Sequence, residues 1–221
     1  MKIFNIATFD REYTLLKTVE SIYVQADKIN IALNLYRKVP KGLYDNKINI
    51  YITDNTLGDA YKFLNCINEE GYYFACDDDL IYPSDYADFM TERVERHNRK
   101  HIITLHGRSF GTFPIVSYYR SKILHLHCLN DVLKEEKVQF GGTGVMCFHT
   151  DLCKIPIEAF KHPNMADIWV GKFAKENNID ILCAEHKKGY IIQQEVDWNI
   201  WKEKNRNCAL QTEVVNRMFN A

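Results

Sequence analysis

The sequence predicts an α/β fold in a single domain, with a mostly parallel central sheet flanked by helices. Three observations predict it. Short β-branched and aromatic segments, KIFNIATF (2–9), KINIALN (28–34), INIYITD (48–54) and YYFACD (72–77), alternate with segments of helical periodicity. Each of these strands runs into polar or turn-forming residues, as the strands of a parallel sheet do at their carboxyl ends. At 221 residues and 46% hydrophobic content, the chain is long and apolar enough to bury one sizeable core.

After the first strand, the polar DRE opens a helix in which Leu15, Leu16, Val19, Ile22 and Tyr23 recur at helical spacing. The second and third strands close on Asn34 and Asp54. GDAYKFLNCINEE (58–70) predicts an amphipathic helix after the turn residues 55–58. The fourth strand ends in three consecutive aspartates, Asp77, Asp78 and Asp79. PSDYADFMTERVERHNRKH (83–101) predicts a helix opened by Pro83 and Ser84, whose terminal Arg93, Arg96, Arg99 and Lys100 complement the macrodipole rather than form a phosphate patch. HIITLHGRSF (101–110) reads as a strand and FPIVSYYRSKILHLHCL (113–129) as further strand material with the pattern of a hairpin. VQFGGTGVMCFHTDL (138–152) reads as strand, glycine turn and strand, MADIWVGKFAKENN (165–178) as a helix, and IDILCAEHK (179–187) as a last strand. The tail from Asp197 is polar, with LQTEVVNRMF as a terminal helix.

Composition narrows the function classes. A net charge of −1 and a pI near 6.7 provide no global field for nucleic acid or an anionic membrane, so a small-molecule or neutral-polymer partner is expected. The seven cysteines are odd in number and never spaced as CxxC, against both a disulfide framework and a zinc knuckle. MKIFNIATFDRE lacks the apolar core of a signal peptide, and no run of about 18 apolar residues appears. The expectation is a protein without a membrane span in a reducing, cytoplasmic setting.

The stretch GYYFACDDDLIYPSDY (71–86) carries the chemistry. Three adjacent carboxylates repel one another, and ending a buried strand on them costs stability unless a positive charge sits there. A hard cation such as Mg2+ or Mn2+, which takes oxygen ligands and keeps places for water and phosphate, is the economical partner. In extended backbone, alternate side chains share a face, so Asp77 and Asp79 are expected to meet one cation while Asp78 points elsewhere. The same run also reads as a strand cap opening a surface turn. Its position favours the metal, because open α/β sheets bind ligands outside the carboxyl ends of their strands. A phosphatase of the haloacid-dehalogenase type would carry its aspartate at the end of the first strand, where this chain has ATFDRE.

The blocks VQADKINIALN, DDDLIYPSDY, GGTGVMCFHTDL and ADIWVGKFAKENNIDILCAEHK resemble, in the same order, those of small GT-A glycosyltransferases that make capsular polysaccharides. The bacterial heparosan-capsule N-acetylglucosaminyltransferases are the most similar, and the chain is also similar in style and size to glycosyltransferase domains with which chlorella viruses decorate their capsid. The resemblance covers residues 2–191 and fades beyond. It implies a GT-A catalytic domain over 1–191, with a nucleotide-binding half (1–80) and an acceptor half (81–191), followed by a helical tail (192–221). It implies a UDP-sugar donor, a glycan acceptor, Mn2+ or Mg2+ held at a DXD motif, and a place in polysaccharide or glycan synthesis. It is equally compatible with the chain being one domain of a longer glycosyltransferase.

Carried over residue by residue, the resemblance puts Ala7, Thr8 and Arg11 at the nucleotide, with Arg11 on the diphosphate. Asp54 would accept from base or ribose, and Lys62 would reach a phosphate or Asp77. Asp77 and Asp78 belong to the donor side, and Asp77, Asp79 and His186 form the expected metal set, although the capsule enzymes have arginine at the last position. His106, Arg108, Gly142 and Gly144 belong to the acceptor or sugar side, the glycines letting backbone approach the sugar. Asp167 is the expected catalytic carboxylate, either a general base or a group that stabilises charge at the reacting carbon. Each has a plainer structural reading: Arg11 as a solvated helix start, Lys62 as an exposed helix lysine, His106 as a core histidine, Asp167 as a helix cap. His125 and His127 alternate along one strand face and read as a polar face, since two histidines alone do not make a metal site. Trp198 and Trp201 read either as a sugar platform or as anchors of the tail.

The expected activity is metal-dependent hexosyl transfer from a UDP-sugar to a glycan hydroxyl, leaning to retention. Its rivals are a non-catalytic cation-dependent nucleotide-sugar-binding module and a nucleotidyltransferase, although ATFDREYT lacks the glycine-rich loop of the latter.

Overall fold

The structure is a computed structural model that describes residues 1–196 and 208–219; Trp198 and Trp201 lie outside the described residues. Strand β1 (Lys2–Phe9) leads through helix α1 (Glu12–Tyr23) to β2 (Lys28–Asn34), and β3 (Ile48–Thr53) and β4 (Tyr72–Asp77) follow. β5 (Leu80–Ile81) precedes helix α2 (Tyr86–Arg96), then come β6 (His101–Thr104), β7 (Gly107–Phe110), β8 (Lys122–Leu126), β9 (Glu136–Val138), β10 (Phe140–Gly141) and β11 (Val145–His149). Helix α3 (Ala166–Glu176), β12 (Asp180–Cys183), β13 (Ile192–Gln193) and helix α4 (Ala209–Phe219) complete the chain.

The main sheet runs β3-β2-β1-β4-β11-β6-β12-β9. Its first four strands are parallel, as are β6 and β12, while β11 is antiparallel to both neighbours and β9 to β12. From β1 the chain moves outward to β2 and β3, then returns to add β4 on the other side of β1. That reversal opens a crevice at the carboxyl ends of β1 and β4, the switch point where such sheets take ligands. The expected α/β class is therefore present, with a large, mostly parallel sheet flanked by helices.

β4 shows how the sheet is held. Phe74 and Cys76 point into a core with α1 and α2, against Leu15, Val19, Tyr86 and Met90. Tyr73 and Ala75 point to the other face, where Phe63, Phe148 and residues of α3 pack. This period of two, buried on both sides, is the mark of a central strand. Phe4 and Phe74 stack with ring centroids 4.3 Å apart across the β1–β4 pair.

The structure departs from the expected elements in four places, one of them being 113–121, which forms bends and turns rather than strand ahead of β8. Residues 58–70 form two short 3-10 segments, Gly58–Phe63 and Cys66–Asn68, rather than one amphipathic helix. The buried Ala60, Phe63 and Cys66 recur every third residue, a spacing that suits a 3-10 turn of three residues. HIITLHGRSF is split, with β6 in the main sheet and β7 in a small sheet ordered β10-β7-β8, and His106 lies at the break. β13 was not foreseen; it pairs with β5 and lays the chain over the aspartate turn. Helix α4 is docked on the body: Asn216 exchanges two hydrogen bonds with the Ile115 backbone, and Phe219 stacks on Phe113 at 4.0 Å. All seven cysteines are free thiols, and among the described residues no helix is long and apolar enough to cross a membrane.

Candidate active site

Ladder pairing brings Ala7 of β1 opposite Asp77 of β4, so the loop after β1 and the aspartate run meet at one sheet edge. Asp77 is the last residue of β4, whereas Asp78 and Asp79 lie in the tight turn to β5. Strand alternation stops at the turn, and this corrects the expectation that Asp78 points elsewhere. Asp78 is buried, its Oδ2 accepting from Thr8 Oγ1 at 2.5 Å and its Oδ1 from Arg11 Nη1 at 2.9 Å. The same Nη1 donates to Asp79 Oδ2 at 3.1 Å. The backbone carbonyl of Asp79 accepts from Gln194 N–H and Gln193 Nε2 at 2.8 and 3.1 Å, which holds the turn under β13.

Asp77 is placed differently. Its carboxylate is about half exposed and pairs with Lys62, whose side chain is almost wholly buried. Lys62 is therefore not the exposed helix lysine of the plainer reading. Burial works against its charge, but Asp77, Asp59 and Asp167 outweigh burial and raise its pKa above the ordinary lysine value. The Tyr82 hydroxyl accepts Asp77 N–H at 2.9 Å and donates to Gly144 O at 2.5 Å, which locks the strand end to the glycine turn. A Cβ on Gly144 would lie 2.0 Å from Asp77 Oδ2, so a glycine is needed for this approach.

These groups border one cleft of about 520 Å3. Ala7, Thr8, Arg11, Lys62, Asp77, Asp78, Asp79, His106, Arg108, Gly142, Gly144 and Asp167, all chosen from sequence, line it. Asp167, in the first turn of α3, accepts from Thr143 N–H and Oγ1 at Oδ1. Arg108 is buried beneath the cleft wall, its guanidinium 4.8 Å from the Tyr118 ring centroid, a cation–π separation. Burial first, then Arg108 and His127, holds His106 well below the ordinary histidine pKa.

Two sequence-chosen residues lie elsewhere. Asp54 is exposed on a turn outside the cleft, where its Oδ1 accepts from Thr56 N–H, Thr56 Oγ1 and Tyr61 OH. His186 is buried, its backbone bridged to Val132 and its Nδ1 2.8 Å from Ala184 O, and it does not line the cleft. Asp77, Asp79 and His186 are not among the groups of three whose ligand atoms converge within 4.8 Å, so His186 is withdrawn as their third metal ligand.

Asp59 was missed. Its Oδ2 accepts from Ala166 N–H at 3.3 Å at the start of α3, while its Oδ1 is closed to solvent without a hydrogen bond. Burial, reinforced by Asp167 and Asp77 and opposed by Lys62, pushes its carboxyl up to about 7. The signal was present: in a 3-10 turn residues i and i+3 eclipse, so Asp59 and Lys62 fall on one side. His127 and Cys128 also line the cleft unforeseen.

The charges suit a hard cation. Asp59, Asp77, Asp78, Asp79 and Asp167 face the cleft with only Arg11, Lys62 and Arg108 to balance them. Asp79 is pushed up to about 6, by burial first and then by Asp77 and Asp78. Burial is the first cause of both the Asp59 and the Asp79 shift, and a divalent cation beside these groups would relieve the part that comes from neighbouring carboxylates. Asp77 and Asp79 are the residues that could hold such an ion, since two carboxylates with water and phosphate oxygens form a usual Mg2+ set. No protein-family model matches the chain, and a search of the curated proteins finds no match.

Proposed function

We propose that the protein is a divalent-cation-dependent glycosyltransferase of GT-A type that moves a hexose-type sugar from a UDP-sugar to a glycan hydroxyl. One observation carries the reading: Asp77, Asp79, Arg11 and Asp167 border a single cleft that opens at the switch point of the sheet. A bound Mn2+ or Mg2+ would neutralise the diphosphate as it leaves. Asp77 and Asp79 would hold that ion, and Arg11, which bridges Asp78 and Asp79, brings a guanidinium charge to the side of the cleft where the diphosphate would lie. Gly142 and Gly144 let the backbone pack directly on His106 and Asp77, which brings that turn to the cleft.

Asp167 acts at the reacting carbon. In the retaining course favoured by the sequence resemblance it stabilises the positive charge that develops there; in an inverting course it takes the acceptor hydroxyl proton. The seven free thiols support a reducing, cytoplasmic setting.

The test is a thermal-shift screen of UDP-, GDP- and dTDP-sugars with and without Mn2+, because a ligand that binds only the folded state raises Tm by mass action. The expected result is a Mn2+-dependent rise with UDP-sugars that Asp79→Asn abolishes without unfolding the protein, accompanied by slow donor hydrolysis. Binding without hydrolysis or transfer would make the chain a nucleotide-sugar-binding module, and unchanged Mn2+-dependent UDP affinity in Asp79→Asn would remove the metal assignment.

A further inference from the structure

His125 and His127 alternate along β8 without a third ligand near them in sequence. The tertiary fold supplies one. The break between β6 and β7 brings His106 onto the same rim, its ring centroid 5.2 Å from that of His125 and 4.6 Å from that of His127. Cys128, next in the chain, turns its thiol to within 3.9 Å of His106 Nδ1. Among the described residues, His106, His127 and Cys128 form the group whose ligand atoms lie within 4.8 Å of one another.

We propose that His106, His127 and Cys128 form a second metal site on the wall of this cleft, chemically distinct from the aspartates and suited to a thiophilic ion of the Zn2+ class. The donor set is the first argument. Two imidazoles and a thiolate select Zn2+ and related ions, whereas the carboxylates of Asp77 and Asp79 select Mg2+ or Mn2+. The geometry is the second. Zn–N and Zn–S bonds in a tetrahedron put the nitrogen and sulfur about 3.6 Å apart, and His106 Nδ1 and Cys128 Sγ are separated by 3.9 Å. The half-buried His127 completes the set, a ring nitrogen lying within 4.8 Å of the other two ligand atoms, while its Nδ1 accepts from Leu129 N–H at 3.2 Å.

The surroundings orient the ligands. In the metal-free protein Arg108 Nη2 donates to His106 Nε2 at 3.3 Å, which puts the imidazole proton on Nδ1. A metal at Nδ1 would move that proton to Nε2, facing His125 Nε2 at 3.3 Å, and Arg108 would give up its bond. An outer imidazole in that role fixes ring and tautomer. The Arg108 charge opposes a cation here. Burial, then Asp77, Asp79 and Asp167, hold Cys128 as the neutral thiol, so the metal itself must draw off the thiol proton, while the same carboxylates offset the Arg108 charge for an incoming cation. On binding, Cys128 loses its thiol proton to solvent and a Zn–S bond forms. Three protein ligands leave a fourth position for water or a cleft ligand.

Cobalt(II) is the reporter, titrated into the full-length reduced protein. The proposal expects one equivalent of Co2+ to carry a thiolate-to-cobalt charge-transfer band that Zn2+ displaces, apart from any Co2+ held by the aspartates. Cys128→Ser should lose the band, and His127→Gln, a substitution at the rim that keeps the thiolate, should weaken Co2+ by more than the ~10–100-fold typical of outer partners. Tm without metal checks that both variants fold. No band in the wild type, a band that survives in Cys128→Ser, or unchanged affinity in His127→Gln would each overturn the site. Asp79→Asn should leave the band intact, which separates this site from the proposed transferase chemistry.

Discussion

Asp167 and Thr143 are clamped together: Asp167 Oδ1 accepts the Thr143 N–H at 2.8 Å and its Oγ1 hydroxyl at 2.9 Å. The clamp ties the start of α3 to the glycine turn, and it uses an oxygen that asparagine also possesses. Asp167→Asn should therefore keep the fold and a Tm near wild type. If Asp167 works at the reacting carbon, donor affinity should be nearly retained while turnover falls by roughly 10²-fold or more. Sugar transfer and thermal unfolding measured on the same preparation decide it, and a fully active variant would leave Asp167 as a clamp only.

Gly144→Ala tests the contact with Asp77. The glycine's backbone conformation is open to alanine, but the added Cβ would sit 2.0 Å from Asp77 Oδ2 and 2.3 Å from its Cγ. Asp77 must turn away, so Mn2+-dependent UDP affinity should fall at least tenfold, about 1.4 kcal/mol. Calorimetric titration of UDP with and without Mn2+ checks this; equal losses in both would point to a general distortion instead.

Arg11→Ala leaves Asp78 and Asp79 buried without the guanidinium that bridges them. The expected cost is about 3 kcal/mol, the scale for uncovering a buried charge. Mn2+ should narrow the gap in denaturant melts, since it supplies positive charge to the same carboxylates. UDP affinity should fall more than uridine affinity, and equal losses would move Arg11 off the diphosphate.

The pH dependence follows from Asp79. Its carboxyl lies near 6 in the folded protein against an ordinary 3.8, so between these values the native state holds more protons than the unfolded state. Stability from this group therefore falls as pH rises from about 4 to about 6 and is flat above. Because the buried histidines have the opposite sign, the clean measurement is the difference between Asp79→Asn and wild type without metal: the Tm of the variant should gain on wild type across that window. A constant difference would place the Asp79 carboxyl at its ordinary pKa.

Much of this protein was determined locally. β1, β2 and β4 follow their apolar segments to the residue, because each is a short β-branched or aromatic run whose pattern does not depend on its neighbours. The same holds for the aspartates at the end of β4 and for Asp167 at the start of α3. Only the tertiary structure decided which strand lies beside which, and with it the pairing of Arg11 with Asp78 and Asp79 across 67 and 68 residues. It turned 58–70 into 3-10 segments, since a three-residue apolar repeat over so short a span fits two helical pitches, and the fit of Lys62 beneath Asp77 is a long-range contact. It drew Asp54 and His186 away from the site. It also joined His106 to His127 and Cys128, three side chains whose common corner is set by two sheets meeting and by nothing in their local sequence.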